Sequence, residues 1–89
     1  MNPEYRQLTR NALLLQLEAA SPAPLPIGTL RQGIRIAGIQ LEHKGLEKEL
    51  EYLSSKGFVD KHAATLSAGH QLYTLTAFGL EYLEGEGLA

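Results

Sequence analysis

The chain has 89 residues, 44% of them hydrophobic and 20% charged, with a net charge of −2 and no cysteine. That length holds one small core and leaves little room for an enzyme site. The missing cysteine excludes a disulfide framework, thiolate metal sites and cysteine catalysis. The charge speaks against a protein that coats nucleic acid without regard to sequence. Glu81, Glu84 and Glu86 lie together in the last nine residues, so residues 1–80, with eight basic and seven acidic groups, carry +1. No apolar run approaches the roughly 18 residues of a membrane span. Residues 1–6 lack the basic-then-apolar order of a secretion signal, so the expected compartment is the cytoplasm.

A first helix is predicted over residues 4–20, started by Pro3, whose missing N–H would be unpaired there anyway. Tyr5, Leu8, Ala12, Leu15 and Ala19 share one face at helical spacing. Leu13, Leu14 and Leu17 form a second apolar stripe. A surface helix needs only one stripe, so the second is expected to be either enclosed by the domain or a dimer contact. The run Ser21-Pro22-Ala23-Pro24-Leu25-Pro26 cannot be helical and reads as a stiff connector ending in a short edge strand near Leu25.

A short second helix follows over residues 27–37, with Ile27, Leu30, Ile34 and Ala37 at helical spacing and Arg31 and Arg35 one turn apart outside. Gly38 is placed to end it in a left-handed cap, and Ile39-Gln40 makes a tight turn. The third helix is predicted over 41–56, burying Leu46, Leu50 and Leu53 and turning His43, Lys44, Glu47, Lys48, Glu51 and Ser55 outward. Gly45 inside it is an oddity, costing about 1 kcal/mol against alanine; it implies close packing or a later helix start. Gly57 stops this helix. Residues 58–75 form a β-hairpin, from Phe58-Val59-Asp60-Lys61-His62 to His70-Gln71-Leu72-Tyr73-Thr74-Leu75. Thr76 caps a last helix over 77–83.

Helices two and three, joined by Gly38-Ile39-Gln40, look like a helix-turn-helix. The run Leu50-Glu51-Tyr52-Leu53-Ser54-Ser55-Lys56-Gly57-Phe58-Val59 resembles the L-x-x-L-x-x-x-G-h-V end of a recognition helix (h, apolar). In winged-helix regulators of the MarR, PadR and ArsR groups this leads straight into the wing. Tyr73-Thr74-Leu75-Thr76-Ala77-Phe78-Gly79 resembles their Y-x-L-T-x-x-G, where the wing enters a closing helix. The whole chain is also similar to small winged-helix proteins of Mu-like transposable phages and prophages, with Leu30-Arg31-Gln32-Gly33-Ile34-Arg35-Ile36-Ala37-Gly38 at the position of their second helix. The resemblance implies a single α+β domain, mostly helical: a winged helix-turn-helix of three helices, a hairpin wing and a C-terminal helix.

It also implies a non-enzymatic regulator of phage or prophage origin that binds double-stranded DNA as a homodimer and needs no cofactor. The third helix would present Gln40, His43, Lys44, Glu47 and Lys48 to base edges. Arg31 and Arg35 from the second helix, and Lys61, His62 and His70 from the wing, would hold phosphates. Leu13, Leu14 and Leu17 would be the dimer contact. The alternative is a protein-interaction module using the third helix and wing, favoured by Glu42, Glu47, Glu49 and Glu51, which a phosphate backbone would repel. The spacing of His43, His62 and His70 matches no compact metal motif. No nucleophile stands beside a base, and no glycine-rich phosphate loop is present.

Overall fold

The computed structural model describes residues 2–63 and 71–89. In chain order the elements are α1 (Pro3–Ala20), β1 (Leu25–Pro26), α2 (Ile27–Ile36), α3 (His43–Ser55), β2 (Val59–Ala63), β3 (Gln71–Leu75) and α4 (Ala77–Gly85). The strands form one antiparallel sheet in the order β1-β3-β2. Leu25 pairs with Tyr73 at one edge, and the β2–β3 ladder runs from Val59↔Leu75 to Ala63↔Gln71. This is the winged-helix arrangement: three helices, a hairpin and a closing helix, with the connector strand completing the sheet.

The start of α1 is well capped. The Asn2 side chain accepts the Tyr5 amide at 2.7 Å, Pro3 opens the helix and Glu4 lies in its first turn. The helix packs against α2, α3, α4 and β3, and this central position decides which stripe is buried. Leu13, Leu14 and Leu17 are 0%, 0% and 1% exposed. They are core residues, so the expected dimer contact at these positions is overturned: the chain's own elements already cover them. The other stripe is only partly exposed: Leu8, at 56%, and Ala19 face outward, while Tyr5, Ala12 and Leu15 are half-buried against the core.

The end of α2 shows why Gly38 stands where it does. Its φ of +90° lets its amide reach Arg35 O at 3.0 Å while the Ile39 amide reaches Ile34 O at 2.8 Å. That left-handed closure turns Ile39 back onto Ile34, and both are buried. Ile39 is therefore part of the core rather than a turn residue, and Ala37, expected on the buried face, is exposed beyond the helix end. Within α2, Gly33 leaves no space for a Cβ because the Gln16 amide group of α1 lies against it, donating to Leu30 O at 3.1 Å.

The third helix starts at His43, two residues later than expected, and this resolves Gly45. Gly45 lies in the first turn, where a Cβ would meet the Leu41 side chain at 3.0 Å. The glycine lets Leu41 fold back under the helix start. Leu46, Leu50 and Leu53 are buried as predicted, and Glu49 is buried with them.

The two sequence motifs meet at the base of the hairpin. Gly57 (φ +81°) closes α3, and the Phe58 amide reaches Leu53 O at 3.0 Å. Thr76 then crosses back: its amide donates to Phe58 O at 3.1 Å and its hydroxyl to Gly57 O at 2.6 Å. The same hydroxyl accepts the Gly79 amide at 3.0 Å, capping α4. Gly79 itself lies against the Phe58 carbonyl and the Leu75 side chain, where a Cβ does not fit. The helix that Thr76 caps runs to Gly85, two residues beyond the expected end.

Candidate nucleic-acid interface

The sequence places polar side chains on the outer turns of α2, α3 and the hairpin because the apolar ones at helical or alternating spacing fill the core. Those outer turns converge. The start of α2 (Pro26–Thr29) with Arg31 and Gln32, His43 and Glu47 of α3, and Gln71 and Tyr73 of β3 border a groove of about 680 Å³. His43 Nε2 and Glu47 Oε1, one turn apart, stand 3.4 Å from each other with both side chains more than half exposed. Lys44 and Lys48 are exposed on the same helix, and Gln40 is exposed in the turn before it. The Gln40 backbone amide donates to the Tyr5 hydroxyl at 3.1 Å, which ties this turn to α1.

Tyr73 forms part of the groove wall and is nearly buried. Burial raises its phenol above the ordinary value; Lys61 works against this, and Glu47 and Glu51 add to it. It therefore stays a neutral hydroxyl at physiological pH.

The two α2 arginines differ. Arg35 is exposed, whereas Arg31 is half-buried and donates from Nε to Leu41 O at 3.2 Å. Arg31 thus holds the turn that leads into α3. In the wing, Lys61 and His62 are successive strand residues and so face opposite sides of the sheet. Lys61 Nζ reaches Glu51 Oε2 of α3 at 3.4 Å, while the His62 ring bonds Thr74 Oγ1 at 2.9 Å on the far side. The expected wing cluster is therefore divided between two faces; its third member, His70, lies outside the described residues. Among the described residues, no group of three or more His, Cys, Asp and Glu is arranged to hold a metal.

An ion pair on the other flank of α3 escaped the sequence reading. Glu49, 7% exposed, takes Arg10 Nε at 2.6 Å and has Arg6 Nε at 3.9 Å. The Arg10 guanidinium also lies 3.6 Å from the centre of the Tyr52 ring. The signal was present: Glu49 sits three residues after Leu46 and four before Leu53, on the buried arc of the helix. Of the four glutamates expected to repel phosphate, Glu49 faces inward and Glu51 is joined to Lys61.

Fold and groove together define a winged-helix domain. Neither any known family model nor any curated protein matches the sequence. Among solved structures, a proposed transcriptional regulator from Thermoplasma acidophilum is similar, with a TM-score of 0.81 and 17% identity over 94% of this chain and 79% of that one. RosR of H. salinarum is similar with a TM-score of 0.73 and 20% identity, over 88% of this chain and 67% of that one. Among the described residues, no helix is long and apolar enough to cross a membrane.

Proposed function

We propose that the protein is a non-catalytic, DNA-binding transcriptional regulator that acts in the cytoplasm as a dimer. The observation that carries this reading is the convergence of the α2 start, the first turns of α3 and the β3 strand on one open groove. A helix-turn-helix meets duplex DNA through these parts, the second helix entering the major groove by its N-terminal turns. Gln40, His43, Lys44, Glu47 and Lys48 are then the base-reading candidates, with Arg35 and Lys61 holding phosphates. The similarity to a proposed transcriptional regulator supports the same function. Phage or prophage origin rests on the resemblance to Mu-like proteins.

The dimer contact moves to the outer stripe of α1. Leu8, Ala12, Leu15 and Ala19 alternate large and small at helical spacing, so two copies can interdigitate about a two-fold axis. An acidic protein-binding face on α3 has less basis, because Glu49 is paired inside the molecule.

Titration of isotope-labelled protein with a mixed-sequence duplex at low salt tests the reading. Amide shifts concentrated in residues 40–48 and at the wing, with affinity falling steeply as salt rises, are the expected result. An unchanged spectrum at low salt would overturn duplex binding. Light scattering of Leu8→Glu against the parent protein tests the dimer, which the variant should lose.

A further inference from the structure

A second concave site lies on the opposite flank of α3 from the groove, between α1, α3 and α4, and shares no residue with it. Arg10, Tyr52, Lys56, Phe58 and Tyr82 border this half-open cleft of about 230 Å³. Its walls are aromatic: Phe58 stacks on Tyr82 with ring centres 4.9 Å apart and meets Phe78 at 5.4 Å. The Tyr82 hydroxyl is held by Gln7 and Asn11, so the wall is fixed from α1.

Three features specify an occupant. The cleft is smaller than the roughly 300–1,000 Å³ that whole drug-sized ligands need, but it suits one large side chain. Its apolar surface does not stop at the rim, since Phe78, packed beside Phe58, is 57% exposed; a contact reaching it extends beyond the cleft. The charged residues that line it are both cationic. Arg10 is balanced from beneath by Glu49, but Lys56 has no carboxylate partner among the described residues.

We propose that this cleft docks an acidic segment of a partner protein, which inserts one aromatic anchor between Tyr52, Phe58 and Tyr82 and sets flanking carboxylates on Lys56 and the outer nitrogens of Arg10. An aromatic anchor in a pocket ringed by weaker contacts is the usual energetic centre of a protein interface. The site leaves the groove free, so a DNA-bound copy can recruit a second protein. The proposal does not depend on DNA binding.

The test uses three blocked synthetic pentapeptides with the labelled full-length protein: Glu-Glu-Phe-Glu-Glu, Lys-Lys-Phe-Lys-Lys and Glu-Glu-Gly-Glu-Glu. The chain carries −2 overall, so diffuse attraction favours the basic peptide, and a preference for the acidic one must be local. The expected result is saturable amide shifts at residues 52–58 and 82 with the acidic Phe peptide. Binding should be at least about fivefold weaker for the other two, and Lys56→Glu should reverse the charge preference. Equal binding of the basic peptide, or no saturable shift, would overturn the proposal. Blocked phenylalanine amide alone binding as tightly as the pentapeptide would also overturn it and assign the cleft to a small ligand.

Discussion

The Thr76 hydroxyl stands 2.6 Å from Gly57 O and 3.0 Å from the Gly79 amide, so one side chain joins the end of α3 to the start of α4. Removing it leaves a helix N-terminus uncapped and a carbonyl without its donor. Thr76→Ala is expected to lose about 1–2 kcal/mol in urea denaturation, with Thr76→Ser retaining most of that. Gly79→Ala should be worse than Thr76→Ala, because the added methyl meets the Phe58 backbone carbonyl as well as the Leu75 side chain. Gly28→Ala, in α2 with open space around it, is the control and should be neutral to slightly stabilising.

The Arg10–Glu49 pair is mostly shielded from water, with side-chain exposures of 17% and 9%. Removing one partner leaves the other charge without compensation. Glu49→Leu or Arg10→Met should each destabilise by about 2–3 kcal/mol, below the fully buried range because Arg10 keeps some solvent. The double variant Arg10→Met/Glu49→Leu should recover a large part of that loss. A double-mutant cycle measures the coupling, and additive single effects would show that the pair contributes nothing.

Arg31 and Arg35 separate by their salt dependence. A phosphate contact contributes about 0.9 to the slope of log affinity against log salt. Arg35→Met is expected to weaken duplex binding and flatten the slope by roughly that amount. Arg31→Met should weaken binding with the slope nearly unchanged, because Arg31 acts through the Leu41 carbonyl. It should also shift the amides of residues 40–45 in the free protein.

High pH probes Tyr73. Its phenol is raised in the folded chain by burial, so the unfolded chain loses this proton first as pH climbs past 10. The contribution is complete below that value and is lost above it as pH rises through the raised folded value. Stability measured between pH 9 and 11.5 should fall, and Tyr73→Phe should fall less steeply.

Much of the fold was legible because it rests on local rules. Gly38 and Gly57 mark helix ends through a backbone conformation other residues avoid, and Leu46, Leu50 and Leu53 repeat at a period only one face can bury. The faces of α1 were not legible, since two stripes of similar apolarity compete and only the packing of α2, α3 and α4 chooses between them. Gly45 is anomalous by helix propensity alone; its reason is Leu41 beneath it, a contact at a spacing no periodic pattern encodes. In the candidate interface, the helical face of His43, Lys44, Glu47 and Lys48 followed from periodicity. The inward turn of Glu49 and the capture of Leu41 by Arg31 depend on partners 39 and 10 residues away in the chain.

The node at Gly57, Phe58, Thr76 and Gly79 also has a mechanical meaning. Four chain segments end there: the third helix, both long strands and the last helix. The root of the hairpin is thus clamped to the third and fourth helices at once. The strands β2 and β3 therefore leave the body from one fixed point, and Phe58 of that point is also a wall of the aromatic cleft.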